Sequence, residues 1–376
     1  MVSMSLVVFV SPTRATLAGA LLAMAISPPA FGADLPARAP VPHYDHIFVI
    51  VEENQGLADI LDKPFTPRLT AFAKTYGVAT QYYGVVHPSE GNYVAMLGGA
   101  TFGIHDDDAY FCKPHMQDAA CKDSESTGFV DHTITTPSLA DQLTNAHFTW
   151  KGYFESLPAP GAMDVVWPKA GNADHLPTGL YASKHNGFNA FASGQHDPQR
   201  AQHIVNFEVL DQDLALNRMP NFAHIVPNQC NEMHGAKGEN VPDDCAKENE
   251  QGRIARGDAY AGALVDRIMR SPVWSGPGNT AIVITFDEAS HHIYAGDPTG
   301  CCAYEPGSLA NFGGGRIATI VIANHGPRGL QDATPYNHFS LLRTVEDAFG
   351  IQEHLGHAAD TDEGVLSMQP LFAVSH

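Results

Sequence analysis

The chain has 376 residues, of which 44% are apolar and 16% are charged, so it is long and apolar enough to bury a substantial core. It carries 41 acidic against 21 basic residues, and its net charge of −20 argues against nucleic acid and anionic membrane surfaces as partners. The sequence leaves the oligomeric state open.

The first 33 residues have the features of an export signal. Arg14 precedes the apolar run 15–26, and small residues up to Ala33 surround a cleavage point. The run is short for a membrane span, so we expect no stable membrane insertion, although a retained N-terminal anchor is the alternative. We predict a signal peptide over 1–33, a single domain over 34–376, and a periplasmic or secreted protein.

Three continuous β-branched runs predict strands that are buried on both faces, as in a parallel sheet. The runs cover residues 46–51, 281–286 and 317–322. Helices are predicted after Ser138, which suits a cap, and from about Phe339 to Phe349, where Gly350 is a stop signal.

This alternation of strands and helices indicates an α/β fold with a mostly parallel central sheet flanked by helices. Residues 105–132 and 155–200 are rich in Gly, Pro, His and Asp, and we expect them to form long loop insertions over one rim. Ligands of such sheets bind beyond the carboxyl ends of the strands, which is where the site is expected.

Six cysteines in an exported chain favour disulfides. The short separations favour the pairs Cys112–Cys121 and Cys230–Cys245. Cys301 and Cys302 are adjacent, so they require a vicinal bridge or distant partners.

The segment from His87 to Tyr93 holds a serine, Ser89, in a short turn that a proline and a glycine favour. Asn92 can aim its amide at the same point, an arrangement that suits a nucleophile beside a donor for developing negative charge. Taken alone, such a segment is also typical of an ordinary turn.

Polar pairs directly follow two of the predicted strands, and with the serine they offer oxygen ligands for a divalent cation. The pairs are Glu53-Asn54 and Asp287-Glu288, which we expect to bind the metal together with Ser89. Such a set accepts Mg, Ca, Mn or Zn. Each pair taken singly is also consistent with a solvated strand end, a cap or a turn.

Histidines supply the second half of the predicted site. His87 and His234 are candidate catalytic residues, and His185 and His338 are candidate substrate-binding residues. Protonated histidines would hold phosphate oxygens and protonate a leaving alkoxide under mildly acidic conditions.

Five short segments resemble the motifs of one known family. His87 to Tyr93 matches His-Pro-Ser-x-Pro-Asn-Tyr with Gly91 in place of the proline, and Val51 to Asn54 matches a strand that ends in Glu-Asn. Pro227 to His234 resembles Pro-Asn-x-x-Asn-Asp-x-His with Glu232 for the aspartate, while Thr285 to Glu288 resembles Thr-Trp-Asp-Glu and Asn337 to Ser340 opens the C-terminal helix motif. The residues that follow Asn54 and Glu288 depart from the family pattern.

Through these segments the chain resembles the phosphoesterase family of bacterial phospholipases C and acid phosphatases, within the alkaline-phosphatase-like superfamily, over roughly residues 43–351. The resemblance implies that the two strand-end pairs bind the metal, that Ser89 is the nucleophile, and that the four histidines bind phosphate, complete a metal site or act as acid. It implies a secreted, metal-dependent acid phosphatase that acts on a small phosphoester through a phosphoserine. The alternatives are a phospholipase C or other phosphodiesterase, and a non-catalytic metal- or phosphate-binding protein.

Overall fold

The buried β-branched runs of the sequence form the centre of a nine-stranded sheet in the computed structural model of the chain. The structure describes residues 39–122, 130–290, 299–303 and 313–374, so the predicted signal segment 1–33 lies outside the described residues. The strands are β1 (His46–Glu52), β2 (Gly77–Tyr83), β3 (Trp150–Phe154), β4 (Val166–Trp167), β5 (Tyr181–Ala182), β6 (Ile204–Val205), β7 (Phe222–Val226), β8 (Thr280–Phe286), β9 (Arg316–Ala323), β10 (Leu330–Asp332) and β11 (Tyr336–Asn337).

The sheet order is β10-β2-β9-β8-β1-β7-β3-β6, with β11 also paired to β2. Strand β9 is antiparallel to both of its neighbours, β2 and β8, while the other pairs of this sheet are parallel. Strands β4 and β5 form a separate antiparallel pair. The prediction of a mostly parallel central sheet is therefore confirmed, and all three predicted strands belong to it.

Helices flank the sheet. They are α1 (Leu57–Ile60), α2 (Pro67–Thr75), α3 (Ser89–Gly98), α4 (Leu139–Asn145), α5 (Ala192–Gln195), α6 (Arg200–His203), α7 (Phe207–Ala215), α8 (Glu250–Met269), α9 (Pro272–Ser275), α10 (His338–Ala348) and α11 (Gln369–Phe372), with short 3-10 helices at Ser183–His185, Gly187–Asn189, Gly356–Ala359 and Thr361–Glu363. Helix α3 packs against α10, and α2 packs against α8. The two helices predicted from the sequence correspond to α4 and α10.

The register of the central strands decides where the site forms. Strands β1 and β8 are parallel neighbours, and Glu52 at the end of β1 lies opposite Phe286 at the end of β8. The residues that follow, Glu53 and Asp287, therefore leave the sheet side by side. Strand β7 is the parallel neighbour of β1 on its other side, so the loop that follows β7 reaches the same edge.

Three disulfides pair the six cysteines of the chain. The structure pairs Cys112 with Cys121 and Cys230 with Cys245, as the short separations predict, and it pairs the adjacent residues Cys301 and Cys302 with each other. Within the described parts of the chain, the helices are too short or too polar to cross a lipid bilayer.

Candidate active site

Two acidic strand ends meet directly beyond β1 and β8. The Asn54 backbone N–H donates to Asp287 Oδ1 at 3.0 Å, and the Asp287 backbone N–H donates to the Glu52 carbonyl at 3.1 Å. Asn54 has a φ of 52°, a left-handed conformation that asparagine tolerates better than most residues. The turn therefore keeps Glu53 and Asn54 pointed at the end of β8.

Ser89 lies in the same place, although it is distant in sequence from both strand ends. It is the first residue of α3 and is 1% exposed. Its Oγ lies 3.2 Å from Glu53 Oε2, 3.4 Å from Glu288 Oε1 and 3.4 Å from Asn54 Nδ2. The start of a helix carries unpaired N–H groups and a partial positive charge, so the hydroxyl stands where an anion is favoured.

The two carboxylate oxygens of Glu53 contact four neighbouring side chains. Its Oε2 accepts from Asn54 and Ser89, while its Oε1 accepts from the Tyr93 hydroxyl at 2.8 Å and lies 3.2 Å from His185 Nε2. The other ring nitrogen of His185 lies 2.9 Å from Glu232 Oε1, and the rings of Tyr93 and His185 stack with centroids 5.3 Å apart. Both oxygens of Glu53 are thus held in fixed directions.

These carboxyl groups are buried together, and their burial sets their electrostatics. Burial and the charge of Asp287 raise the pKa of Glu53 and of Glu288 well above the usual range, and burial and Glu53 do the same for Glu232. Burial raises the pKa of Asp287 to about 6. Carboxylates that are buried close together repel one another, and a bound cation stabilises their ionised forms.

The donors at this point fit a divalent cation. The oxygens Asp287 Oδ2 and Glu232 Oε2 are buried and have no hydrogen-bond partner among the described residues. Ligand atoms of Glu53, His185 and His234 also lie within 4.8 Å of one another. Carboxylate oxygens with imidazole nitrogens nearby suit a divalent metal, and the set does not select one identity.

His87 stands at the entrance of this group. Its Nδ1 contacts Glu288 Oε2, and its side chain is 12% exposed. The ring precedes Ser89 by two residues, so it lies beside both the hydroxyl and the acid that the hydroxyl approaches. His234 is also partly buried, with Nδ1 at 2.8 Å from the Gly235 carbonyl and Nε2 at 3.5 Å from Lys247 Nζ.

The structure corrects the expected place of Asn92. Its Oδ1 accepts from the backbone N–H groups of Val85 at 2.8 Å and Val86 at 3.2 Å, and its Nδ2 donates to the Val86 carbonyl at 2.7 Å. The side chain is fully buried. Because all of these bonds go to the segment before Ser89, Asn92 holds that segment and does not aim its amide at the reacting point.

His338 and His185 also differ from the expectation that they touch substrate. His338 is fully buried, with Nε2 at 2.6 Å from the Asp287 carbonyl and Nδ1 at 3.2 Å from the Tyr82 hydroxyl. It therefore holds the backbone at the end of β8 and does not face the substrate position. His185 is 2% exposed and bridges Glu53 and Glu232, so it orients the carboxyl groups.

The expectation that these histidines are protonated stays a prediction, and the burial of three of them disfavours the protonated form. Burial, together with the charge of Lys184, lowers the pKa of His185 and of His234 well below the usual range. Burial lowers the pKa of His338 to about 4. Burial therefore favours the neutral form of these rings, in which they can act as hydrogen-bond partners or metal ligands.

Several residues around Ser89 were not identified from the sequence. Glu90, next to Ser89, lies with Oε1 3.2 Å from His132 Nδ1, and His132 Nε2 lies 2.9 Å from Asp106 Oδ1. Asp107 accepts from the Glu90 backbone N–H at 3.2 Å and pairs with Lys184 at 2.8 Å. The acidic run 106–108 was the sequence feature that could have indicated these residues. The side chains that pair with it lie elsewhere in the sequence, so the run alone did not reveal its role.

Comparisons with known proteins identify the family of the chain. The model of the Phosphoesterase family matches residues 59–352. The chain is 24% identical to a phosphatidylinositol-3-phosphatase of Mycobacterium tuberculosis over 84% of this chain and 80% of that protein. It is 25% identical to a phosphate-repressible acid phosphatase of Penicillium chrysogenum over 75% of this chain, and the match spans 54% of that protein, about half its length.

A solved structure shows the same fold. A protein of the alkaline phosphatase superfamily from Vibrio parahaemolyticus superposes with a TM-score of 0.50 at 13% identity, over 84% of this chain and 69% of that chain. Because the family model covers most of the chain, the chain belongs to the phosphoesterase family. The family resemblance and the fold expected from it are confirmed, and the chain is a phosphoester hydrolase by family.

Breaking the buried triad of Glu90, His132 and Asp106 is expected to destabilise the protein in a pH-dependent way. The two carboxyl groups outweigh burial and raise the pKa of His132 to about 10, so its stabilisation is complete below the unfolded pKa and is lost as the pH rises through about 10. His132→Gln should lower the free energy of unfolding at pH 7 by about 3–5 kcal/mol, because it leaves buried charges unpaired. The measurement is urea unfolding at pH 7 and pH 10.

The matched control is His357→Gln, since His357 also pairs with an aspartate but is partly exposed. It should change the free energy of unfolding by less than about 1 kcal/mol. A difference between wild type and His132→Gln that is as large at pH 10 as at pH 7 would contradict a charged triad.

Proposed function

We propose that this member of the phosphoesterase family is an exported, metal-dependent acid phosphatase that hydrolyses phosphate monoesters through a phosphoserine at Ser89. The observation that carries the proposal is the position of the Ser89 hydroxyl, which is within 3.4 Å of both Glu53 and Glu288 at the start of α3. Acid phosphatases among the relatives favour this activity. The disulfides and the signal-like segment 1–33 favour export.

The residues proposed to hold the metal are the two strand-end pairs and the serine, namely Glu53, Asn54, Asp287, Glu288 and Ser89. A bound divalent cation would neutralise the buried carboxylates and favour the ionised form of the serine hydroxyl, which a free serine does not reach near neutral pH. Its identity among Mg, Ca, Mn and Zn is open on the donor set alone.

In the proposed reaction the Ser89 oxygen attacks phosphorus in line with the leaving alcohol. The serine hydroxyl gives its proton to a carboxylate that it contacts, Glu53 or Glu288, and the bond from serine oxygen to phosphorus forms as the bond to the leaving oxygen breaks. The partial positive charge at the start of α3 would favour the anionic phosphoryl group. The leaving oxygen takes a proton, for which His87 is the proposed donor because it stands beside Ser89 at the partly exposed entrance. Water then attacks phosphorus as the bond to the serine oxygen breaks; the serine oxygen takes back the proton held by the carboxyl group, and one proton of the water restores His87.

The substrate class is proposed from the relatives and from the surroundings of Ser89. Both the bacterial and the fungal relatives carry phosphatase names, which favours a monoester. A phosphodiester would need space for a second substituent on phosphorus next to the buried hydroxyl. Lipid diesters, as cleaved by phospholipases C, therefore remain the alternative substrates to be tested.

The purified protein should hydrolyse p-nitrophenyl phosphate with kcat/KM at least about tenfold above its values for bis(p-nitrophenyl) phosphate and phosphatidylcholine, since a diester brings a second substituent on phosphorus that must fit beside the buried Ser89 hydroxyl. Ser89→Ala should abolish turnover of all three while retaining the metal. Phosphate trapped on Ser89 after acid quench, detected by mass spectrometry, tests the intermediate. Faster turnover of either diester would favour the phosphodiesterase alternative, and full activity of Ser89→Ala would exclude the mechanism.

Metal content should depend on Asp287. Replacing it by asparagine removes one charge from the group and should lower the bound divalent metal, measured by mass spectrometry after dialysis, from about one equivalent to well below half. The control is Glu346→Gln, which changes a carboxyl group that is equally buried but lies in α10 near the Leu355 backbone N–H. Equal metal content in both variants would contradict the proposed ligand set.

His87→Gln should impair poor leaving groups more than good ones. Nitrophenolate leaves without a proton, whereas an alkoxide requires one, so kcat should fall at least about tenfold further with glycerol phosphate than with p-nitrophenyl phosphate. His196→Gln serves as the control, because His196 is exposed and its ring bonds the Ala192 carbonyl. Equal losses for the two substrates would show that His87 is not the proton donor.

A further inference from the structure

Lys184 is a cation at the acidic centre that neither the metal set nor the proton donor uses. It lies in the 3-10 helix Ser183–His185, directly before the histidine that bridges Glu53 and Glu232. Its side chain is 20% exposed, whereas those acids are fully buried. The Lys184 side chain is therefore more accessible to solvent than the acids are.

One carboxylate fixes Lys184 relative to the nucleophile. Asp107 Oδ2 lies 2.8 Å from Lys184 Nζ, and Asp107 Oδ1 accepts from the Glu90 backbone N–H at 3.2 Å. Glu90 is the residue after Ser89 in the first turn of α3. The two oxygens of a single side chain thus join the ammonium group to the helix start that carries the serine.

The charge of Lys184 acts on the whole acid group. It lowers the pKa of Glu53, Asp287, Glu288 and Glu232 against the larger effect of their burial. Burial alone would lower the pKa of Lys184, but Asp107 and Glu53 raise it above its usual value. Its pairing with Asp107 at 2.8 Å favours the charged ammonium form.

The ammonium also has hydrogen-bonding capacity left over. A lysine has three N–H donors, and among the described residues its hydrogen bond goes to Asp107. A phosphate monoester brings two negative charges into a group of buried acids, so a fixed cation at the entrance offsets repulsion that the substrate would otherwise meet.

We propose that Lys184 binds the phosphoryl group of the substrate, donating hydrogen bonds to its non-bridging oxygens while Ser89 attacks, and that Asp107 is the residue that positions it. This inference rests on the proposed phosphatase function and adds to it a residue that contacts substrate. The competing explanation is that Lys184 only balances the charge of the buried acids and never meets the phosphate.

Direct binding of inorganic phosphate to the metal-loaded protein separates these explanations without turnover. In the Ser89→Ala background, a second change Lys184→Met should raise the dissociation constant for phosphate, measured by titration calorimetry, about tenfold or more, because it removes charge-assisted hydrogen bonds. Lys184→Arg should recover part of the affinity. If the methionine variant does not fold, Lys184→Gln carries the same test with a side chain that can still bond Asp107.

The matched control is Lys151→Met in the same background. The Lys151 side chain is 22% exposed and pairs with the buried Asp213, so it matches Lys184 in exposure and in ion pairing, but it lies on β3. It should leave the dissociation constant for phosphate within twofold.

The outcomes are distinct. If Lys184→Met lowers the melting temperature and turnover but leaves phosphate affinity within twofold, the lysine serves charge balance and the inference is overturned. If the wild-type protein binds phosphate yet hydrolyses no phosphate monoester, the proposed function fails instead, while the effect of Lys184 on phosphate binding still decides its role as a phosphate ligand.

Discussion

The constraint on which the site depends is the gathering of acids beyond two adjacent parallel strands. The register that sets Glu52 opposite Phe286 places Glu53 and Asp287 side by side, and both are buried. Like charges this close together and excluded from water are unfavourable unless other groups compensate for them. The surrounding contacts, from the Tyr93 hydroxyl to the bridging imidazole of His185, supply part of that compensation, and a divalent cation would supply the rest.

The two insertions contribute several of the polar groups that surround the acids and the start of α3. Segment 105–132 contributes Asp107 and His132, and segment 155–200 contributes Lys184 and His185. Asp107 joins Lys184 to the Glu90 backbone in the first turn of α3, and His132 pairs with the Glu90 side chain. Loops that look irregular in sequence thus brace the helix that carries Ser89, which is how a rigid scaffold presents a reactive group on a loop-rich rim.

The parts of the fold that sequence could predict are those set by local pattern. The runs that became β1, β8 and β9 are apolar on both faces, and their polar ends follow from where such strands stop. What could not be predicted were the partners of polar side chains. Asn92 and His338 have the right chemistry for a site, but whether they face substrate or backbone depends on contacts with Val85 and Asp287 that only the folded chain creates. The protonation of the buried histidines was beyond the sequence for the same reason, because burial sets it.

Gly91 is the one position at which the segment His87–Tyr93 departs from the family motif. Its surroundings show how closely α3, the helix that carries Ser89, packs against the insertion that begins near residue 105. A side-chain carbon added at Gly91 would lie 2.7 Å from the Ile104 carbonyl and 2.6 Å from Val86 Cγ1. The family motif that this segment resembles has a proline there, which would stiffen the turn by itself. With glycine in that position, the backbone before Asp106 and Asp107 approaches α3 closely, where Asp107 accepts from the Glu90 backbone N–H and Asp106 pairs with His132, the partner of Glu90. The proline of the motif would make the turn rigid locally. In this chain tertiary contacts supply that rigidity, so Ser89 and the insertion that begins near residue 105 are held together.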